Sequence, residues 1–265
     1  MSDKILNTLA ECTRVRIEND KKKISPEEIK QKALAMNCNT GFPFEKALKK
    51  NGMSFICEIK KASPSKGIIA EDFPYKDIAI EYEQAGASAI SVLTETDYFL
   101  GSDKYLNEVS ELVNIPLLRK DFTIDEYMIY QAKVLGASAV LLICSLLDTD
   151  TIRKYIEICD TLGLSALVEA HDIDEVQSAI KAGARIIGVN NRNLKNFTVD
   201  VTNCLSLRKL VPSDIIFVGE SGIKTPQDIE VLRQANVDAV LIGETFMRSE
   251  NKKEMLVTLN GGEID

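Results

Sequence analysis

From Ser54 onward the chain alternates between two patterns. Short apolar runs give way to longer segments in which apolar residues recur every three or four positions. The first pattern belongs to strands buried on both faces, the second to amphipathic helices. Near copies punctuate the alternation: Ala85-Gly86-Ala-Ser88-Ala-Ile90, Leu135-Gly136-Ala-Ser138-Ala-Val140, Ala182-Gly183-Ala-Arg185-Ile-Ile187 and the looser Ala235-Asn236-Val-Asp238-Ala-Val240, about every 50 residues. In each, a helical pattern stops at Gly or Asn, which tolerate the left-handed turn that closes a helix, and an apolar strand begins at once. Four further strands fall at 54–60, 115–119, 165–169 and 214–218. Asp148, Asp172 and Thr225-Pro226-Gln-Asp228 mark helix starts between them. Eight strands alternating with helices over about 220 residues predict an α/β fold, a single (β/α)8 TIM barrel rather than an open sheet.

The beginning of the chain lies outside this repeat. Ile5, Leu6, Leu9 and Cys12 form one apolar stripe, and Ser25-Pro26-Glu27-Glu28 reads as a capping box ahead of Ile29, Ala33 and Met36. A loop over Asn37 to Pro43 and a short helix over Phe44 to Lys50 then lead into the first strand. The expected organisation is an N-terminal helical extension (1–45) packed on a barrel domain (46–265).

Composition narrows the range of functions. Hydrophobic residues make up 45% of the 265, enough for a sizeable core. The amino terminus, Met-Ser-Asp-Lys, starts no long apolar segment, so a cytoplasmic protein is expected. Six cysteines without a Cys-x-x-Cys pair, and one histidine, predict neither a disulfide framework nor a metal site. A formal charge of −8 disfavours nucleic acid and anionic membrane as partners. Any anionic ligand must be met by local positive charge and backbone amides, and a monomer is expected.

In a (β/α)8 barrel chemistry gathers at the C-terminal ends of the strands. Strand 1 ends in Glu58 and Lys60, which share a face because side chains alternate with a period of two. The others end in Thr94-Glu95 with Tyr98-Phe99 beyond, Arg119-Lys120-Asp121-Phe122, Ile143-Cys144-Ser145, Glu169-Ala-His171, Asn190-Asn191-Arg192-Asn193, Glu220-Ser221-Gly222-Ile223 and Gly243-Glu244-Thr245. Lysines and carboxylates thus converge on one mouth. The last two ends offer backbone N–H groups, and a short helix starting near Glu244 points its N-terminus at the same place. A phosphate is expected against Gly222, Gly243 and Glu244, with Ser221 and Ser63 nearby.

These motifs carry a resemblance. Phe55-Ile-Cys-Glu58-Ile-Lys60-Lys61-Ala-Ser63-Pro64-Ser65-Lys66-Gly67, Leu93-Thr94-Glu95 with Tyr98-Phe99, Leu118-Arg-Lys120-Asp121-Phe122, Leu167-Val-Glu169, Gly188-Val-Asn190-Asn191-Arg192 and Glu220-Ser221-Gly222-Ile223 closely resemble the indole-3-glycerol-phosphate synthase family over essentially the whole chain, helical arm included. The resemblance implies ring closure, decarboxylation and dehydration of 1-(2-carboxyphenylamino)-1-deoxyribulose 5-phosphate to indole-3-glycerol phosphate in tryptophan biosynthesis, without metal or organic cofactor. It implies Lys120 as the acid that protonates the ketone, and a lysine in a partly desolvated mouth can have its pKa lowered for that task. Glu169 and the Glu58/Lys60 pair are implied to share the protons of dehydration, and Asn190 to hold the reacting hydroxyl. Arg192 suits a carboxylate, while Phe99 and Phe122 wall the aromatic ring. Glu95 and Asp121 are expected to orient neighbouring cations, His171 to cap a helix or lie on the surface, and Lys61 and Lys66 to be solvated. Two other readings stand beside this one. One is another phosphate-binding (β/α)8 enzyme of the same pathway, which lacks the Glu-x-Lys-x-x-Ser-Pro-Ser pattern. The other is a non-catalytic barrel, which would have lost a charged strand end.

Overall fold

The computed structural model describes residues 2–262 apart from 51, 193–197 and 199. Eight parallel strands close on themselves: β1 (Ser54–Ile59), β2 (Ala89–Leu93), β3 (Leu117–Lys120), β4 (Ala139–Ile143), β5 (Ser165–Ala170), β6 (Ile186–Asn190), β7 (Ile216–Glu220) and β8 (Ala239–Ile242), each paired with its sequence neighbour and β1 with β8. A small hairpin of Ala62–Ser63 and Gly67–Ile68 follows β1. The helices are α1 (Ser2–Lys23), α2 (Pro26–Leu34), α3 (Pro43–Leu48), α4 (Tyr75–Ala85), α5 (Asp103–Ser110), α6 (Glu126–Val134), α7 (Thr149–Leu162), α8 (Ile173–Ala182), α9 (Val201–Arg208), α10 (Pro226–Gln234), α11 (Glu244–Arg248) and α12 (Lys252–Leu259).

The expected caps form. Asp148 accepts from the Thr151 N–H, Asp172 from the Glu175 N–H, and Thr225 and Asp228 close a reciprocal box. Ser25 caps α2 through the Glu28 N–H at 3.2 Å, but the box expected there does not close, and the Glu28 carboxylate instead pairs with Lys32 at 2.8 Å. Ile29 and Ala33 are buried, but Met36 falls beyond the helix and is exposed, because α2 stops at Leu34 before the stripe reaches it.

Alternation along the strands makes two apolar layers. Side chains such as Ile56, Leu118, Leu141, Leu167, Ile186, Val218 and Leu241 fill the barrel, and Phe44 and Leu48 of α3 pack into the same cluster. The opposite faces, with Cys57, Ile90, Val140, Val168 and Phe217 among them, pack against the helices. Beneath this floor, Arg185 ties α3 to the barrel through Glu45 at 2.9 Å. At the other end α1 is held by Arg16, whose guanidinium bonds both oxygens of Asp121 at 2.6 and 2.8 Å and the Thr94 carbonyl at 2.9 Å.

Strand ends differ from the sequence expectation: β1 stops at Ile59 and leaves Lys60 just beyond it, the strand expected over 165–169 reaches Ala170, and the shifts of β3 and β7 matter most at the site. β3 runs to Lys120 and β7 to Glu220, so these residues are strand residues rather than loop residues. Pairing sets this: Lys120 stands opposite Leu93, and Glu220 opposite Asn190.

Candidate active site

A cavity of about 1040 Å³ opens at the C-terminal end of the barrel, lined by strand ends, the Ser63 hairpin and Ile5, Leu6 and Leu9 of α1. At its floor the Lys120 ammonium donates to Glu169 Oε2 at 3.0 Å and to Glu220 Oε2 at 2.8 Å. Both carboxylates are buried. Burial favours the neutral amine, but Glu169, Glu220 and Glu58 together outweigh it and hold Lys120 charged well above the usual lysine range. The expectation of a lowered lysine pKa is thus corrected: desolvation is present, yet two carboxyls bond the nitrogen directly and the charge of Glu58 adds to them.

The two acids diverge. Burial and the negative charge of Glu169 push Glu220 upward, to about 7, against the pull of Lys120. Burial also penalises ionised Glu169, but Lys120 outweighs it and holds that carboxylate below the ordinary range. Two carboxyls share one ammonium, so one keeps its proton long after the other has lost it.

Glu58 and Lys60 form a close ion pair across the end of β1. Their neighbour is Gly243: a Cβ there would collide with Glu58 Oε1 and come within 2.8 Å of Lys60 Nζ, so only glycine leaves room for the pair. Asn190 points its amide nitrogen at Glu169 Oε1, 3.5 Å away, and its Oδ1 accepts the Arg192 N–H at 3.0 Å. Phe99 and Phe122 face each other with ring centroids 6.1 Å apart. Glu95 does not orient a cation as expected. Its carboxylate accepts the N–H groups of Asp97, Tyr98 and Phe99 at 2.8 to 2.9 Å and shapes the turn that presents Phe99. Asp121 does orient cations, Arg16 and Arg119.

The cavity lining also includes Ser63, Arg192, Ser221, Gly222, Gly243 and Glu244. Ser221 has φ 66°, a left-handed value that costs a non-glycine residue energy and is held here by the Asn191 side-chain amide on its carbonyl at 3.1 Å. The Glu244 carboxylate is engaged by Arg248 at 3.2 Å and faces Lys66 at 3.7 Å. Lys66 is exposed, as expected of a solvated loop charge, and its contact with Glu244 is a loose one. Asn193 lies outside the described residues.

Strand-end reading places Glu220 at the mouth but gives it no role, because the expected strand stops at 218 and leaves Glu220 in the turn. A signal was available in Gly188, a glycine inside an otherwise apolar strand. A Cβ at Gly188 would run into Glu220 Oε1 and sit 3.2 Å from Leu167 Cδ1. Gly188→Ala is expected to push Glu220 off Lys120. Overpacking of this kind costs about 1 to 3 kcal/mol. A thermal-unfolding scan and kcat/KM should both fall, and an alanine variant as active as the parent would show that the Glu220 contact is dispensable.

The closed barrel, with a cavity at the C-terminal end of its strands lined by a lysine, buried carboxylates and aromatic rings, defines a (β/α)8-barrel enzyme. The chain belongs to the indole-3-glycerol phosphate synthase family, whose model matches residues 6–259. It is 61% identical to an indole-3-glycerol phosphate synthase of Ruminiclostridium cellulolyticum, over 97% of this chain and 99% of that one. A protein of the same name from Endomicrobium trichonymphae is 54% identical over 95% and 98%. Among solved structures the fold is similar to that of a 3-hexulose-6-phosphate synthase, with TM-score 0.64 and 15% identity over 79% of this chain and 99% of that one. A thiamine phosphate pyrophosphorylase from Pyrococcus furiosus gives TM-score 0.58 and 16% identity over 79% and 94%, a likeness of fold alone. Among the described residues no helix is long and apolar enough to cross a membrane.

Proposed function

We propose that the chain converts 1-(2-carboxyphenylamino)-1-deoxyribulose 5-phosphate to indole-3-glycerol phosphate in tryptophan biosynthesis, with the chemistry centred on Lys120. The observation that carries this reading is the position of Lys120: a charged ammonium between two buried carboxyls, in a cavity that Phe99, Phe122, Ser221 and Gly222 also line. During ring closure the ring carbon that bears the carboxylate attacks the sugar ketone, whose oxygen gathers negative charge. Lys120 stabilises that charge and delivers its proton. Release of carbon dioxide restores the aromatic ring. Dehydration then needs an acid for the departing hydroxyl and a base for the remaining proton. Glu169, held ionised, serves as the base, and Lys60, paired with Glu58 beside Gly243, supplies the second ammonium. Asn190 holds the hydroxyl, and the Arg192 fork receives the carboxylate. The phosphate rests on the backbone of Ser221, Gly222, Gly243 and Glu244 with the Ser63 hydroxyl, since the Glu244 carboxylate is already neutralised by Lys66 and Arg248.

Incubating the purified chain with the carboxyphenylamino substrate and following indole fluorescence tests the whole reading, and a folded protein that makes no indole product defeats it. Inorganic phosphate tests the anion end separately. It is expected to inhibit competitively and to occupy the Ser221–Gly222 and Gly243–Glu244 turns in a soaked crystal, and anions found only elsewhere would remove that assignment.

A further inference from the structure

We infer that His171 is a positioning residue for this reaction: its imidazole ties the end of β5 to the end of β6 and holds in place the segment that carries Asn190 and Arg192. The inference rests on the reading above, in which those two residues meet the substrate.

His171 is the only histidine of the chain. Neither expected role fits it, because Asp172 caps α8 and the His171 side chain is only 17% exposed. Its Nε2 lies 3.1 Å from the Arg192 carbonyl oxygen. A carbonyl oxygen only accepts, so the ring proton sits on Nε2. From Arg192 the bonding continues inward. The Arg192 N–H donates to Asn190 Oδ1 at 3.0 Å, which fixes the amide so that its nitrogen faces Glu169, the partner of Lys120. The other ring nitrogen, Nδ1, is buried without a hydrogen bond, 3.7 Å from Glu175 Oε2. Glu175 is itself anchored, accepting the His171 backbone N–H at 2.7 Å and the Ser145 hydroxyl at 2.5 Å. On the far side the Asn203 amide donates to the His171 carbonyl at 3.0 Å. The charges facing the ring are Glu175 of α8 and Glu169 of β5. Together with the bond to Arg192 they outweigh burial and raise the imidazole pKa, so the ring readily carries a second proton on Nδ1 toward Glu175.

Without the ring, the Arg192 carbonyl loses its bond to the residue that follows β5, and the arginine fork and the Asn190 amide lose an anchor they share. Substrate contacts depend steeply on such placement. The geometry therefore makes a clear demand on kinetics.

The test compares His171→Leu, His171→Gln and Arg192→Ala with the parent chain by steady-state kinetics, with thermal unfolding to establish that each is folded. Imidazole nitrogen NMR adds a direct readout, since one histidine gives one unambiguous ring. Loss of one such hydrogen bond should raise KM roughly tenfold in His171→Leu while kcat falls by no more than about threefold. Glutamine, whose amide nitrogen can donate to the same carbonyl, should bring KM back to within about threefold. The neutral ring should carry its proton on Nε2. An unchanged KM in a folded leucine variant, equal losses in the leucine and glutamine variants, or a neutral ring protonated on Nδ1 each overturns the inference. Should the leucine variant not fold, the glutamine variant and the ring proton decide. Arg192→Ala separates the two claims. If KM is unchanged there, the substrate role of Arg192 falls and the inference with it; if KM rises there but not in His171→Leu, only the positioning role of His171 falls.

Discussion

Lys120→Met is expected to turn over substrate about 10² to 10⁴ times more slowly than the parent chain, the usual cost of losing a positioned general acid. Methionine keeps the length and apolar contacts of the stem but has no proton to give. The raised pKa does not count against the role. A proton held by Glu169, Glu220 and Glu58 stays on Lys120 at any working pH, so the acid is always loaded, and the oxygen formed in ring closure is a strongly basic alkoxide. As substrate anions enter and compete for the ammonium, its hold on the two carboxylates is the part of the cluster that must yield. Lys120→Arg separates charge from proton transfer, because arginine keeps the charge yet does not deprotonate in proteins. Both variants should show collapsed single-turnover rates, with arginine binding substrate better than methionine. Near-normal turnover in a folded Lys120→Arg protein would mean that a fixed charge suffices, and the acid would then be sought at Lys60.

The second large effect is on stability. Asp121→Ala should destabilise the fold by about 3 to 5 kcal/mol, because removing one member of a buried ion pair strands the others. Arg119 is 1% exposed, 3.7 Å from Asp121, and would retain Asp103 at 2.8 Å; Arg16 would lose both of its Asp121 bonds. Since Arg16 fastens α1, whose Leu6 and Leu9 line the cavity, activity should fall with stability. The pH dependence carries a sign. Burial works against the Asp121 charge, but Arg16 and Arg119 outweigh it and hold its pKa below the unfolded value. Its contribution is therefore complete above the unfolded pKa of about 4 and is lost as pH falls through the lower folded value. Urea unfolding at neutral pH and again in acid should show the gap between parent and variant narrowing below pH about 4. A gap that stays constant down to the acid transition would show that the Asp121 charge is not what stabilises the mouth.

Much of this was legible along the chain because its causes are local. A strand buried on both faces must be apolar throughout, and a helix between strands must show its stripe and its caps, so the (β/α)8 alternation, the caps at Asp148, Asp172 and Thr225, and the site's gathering at the strand ends could all be read without coordinates. The motif at Glu58 to Gly67 pointed to a family before any geometry was known. What the chain alone left open concerns residues whose meaning depends on partners far away in sequence. Glu220 became part of the Lys120 cluster only when β7 paired with β6 and set it opposite Asn190. Glu95 was expected beside a cation and instead caps the turn of Phe99.

The sequence by itself determined the order of strands and helices, the buried faces and the identity of the charged strand ends, since hydrophobic periodicity and capping act within a few residues. Only the tertiary structure decided the charge states at the mouth. A lone buried lysine would lose its proton, yet Lys120 keeps it, because closure of the barrel brings Glu169 and Glu220, 49 and 100 residues away, to within 3.0 and 2.8 Å of one nitrogen. Electrostatic energy depends on distance and burial, and neither is written in the order of residues.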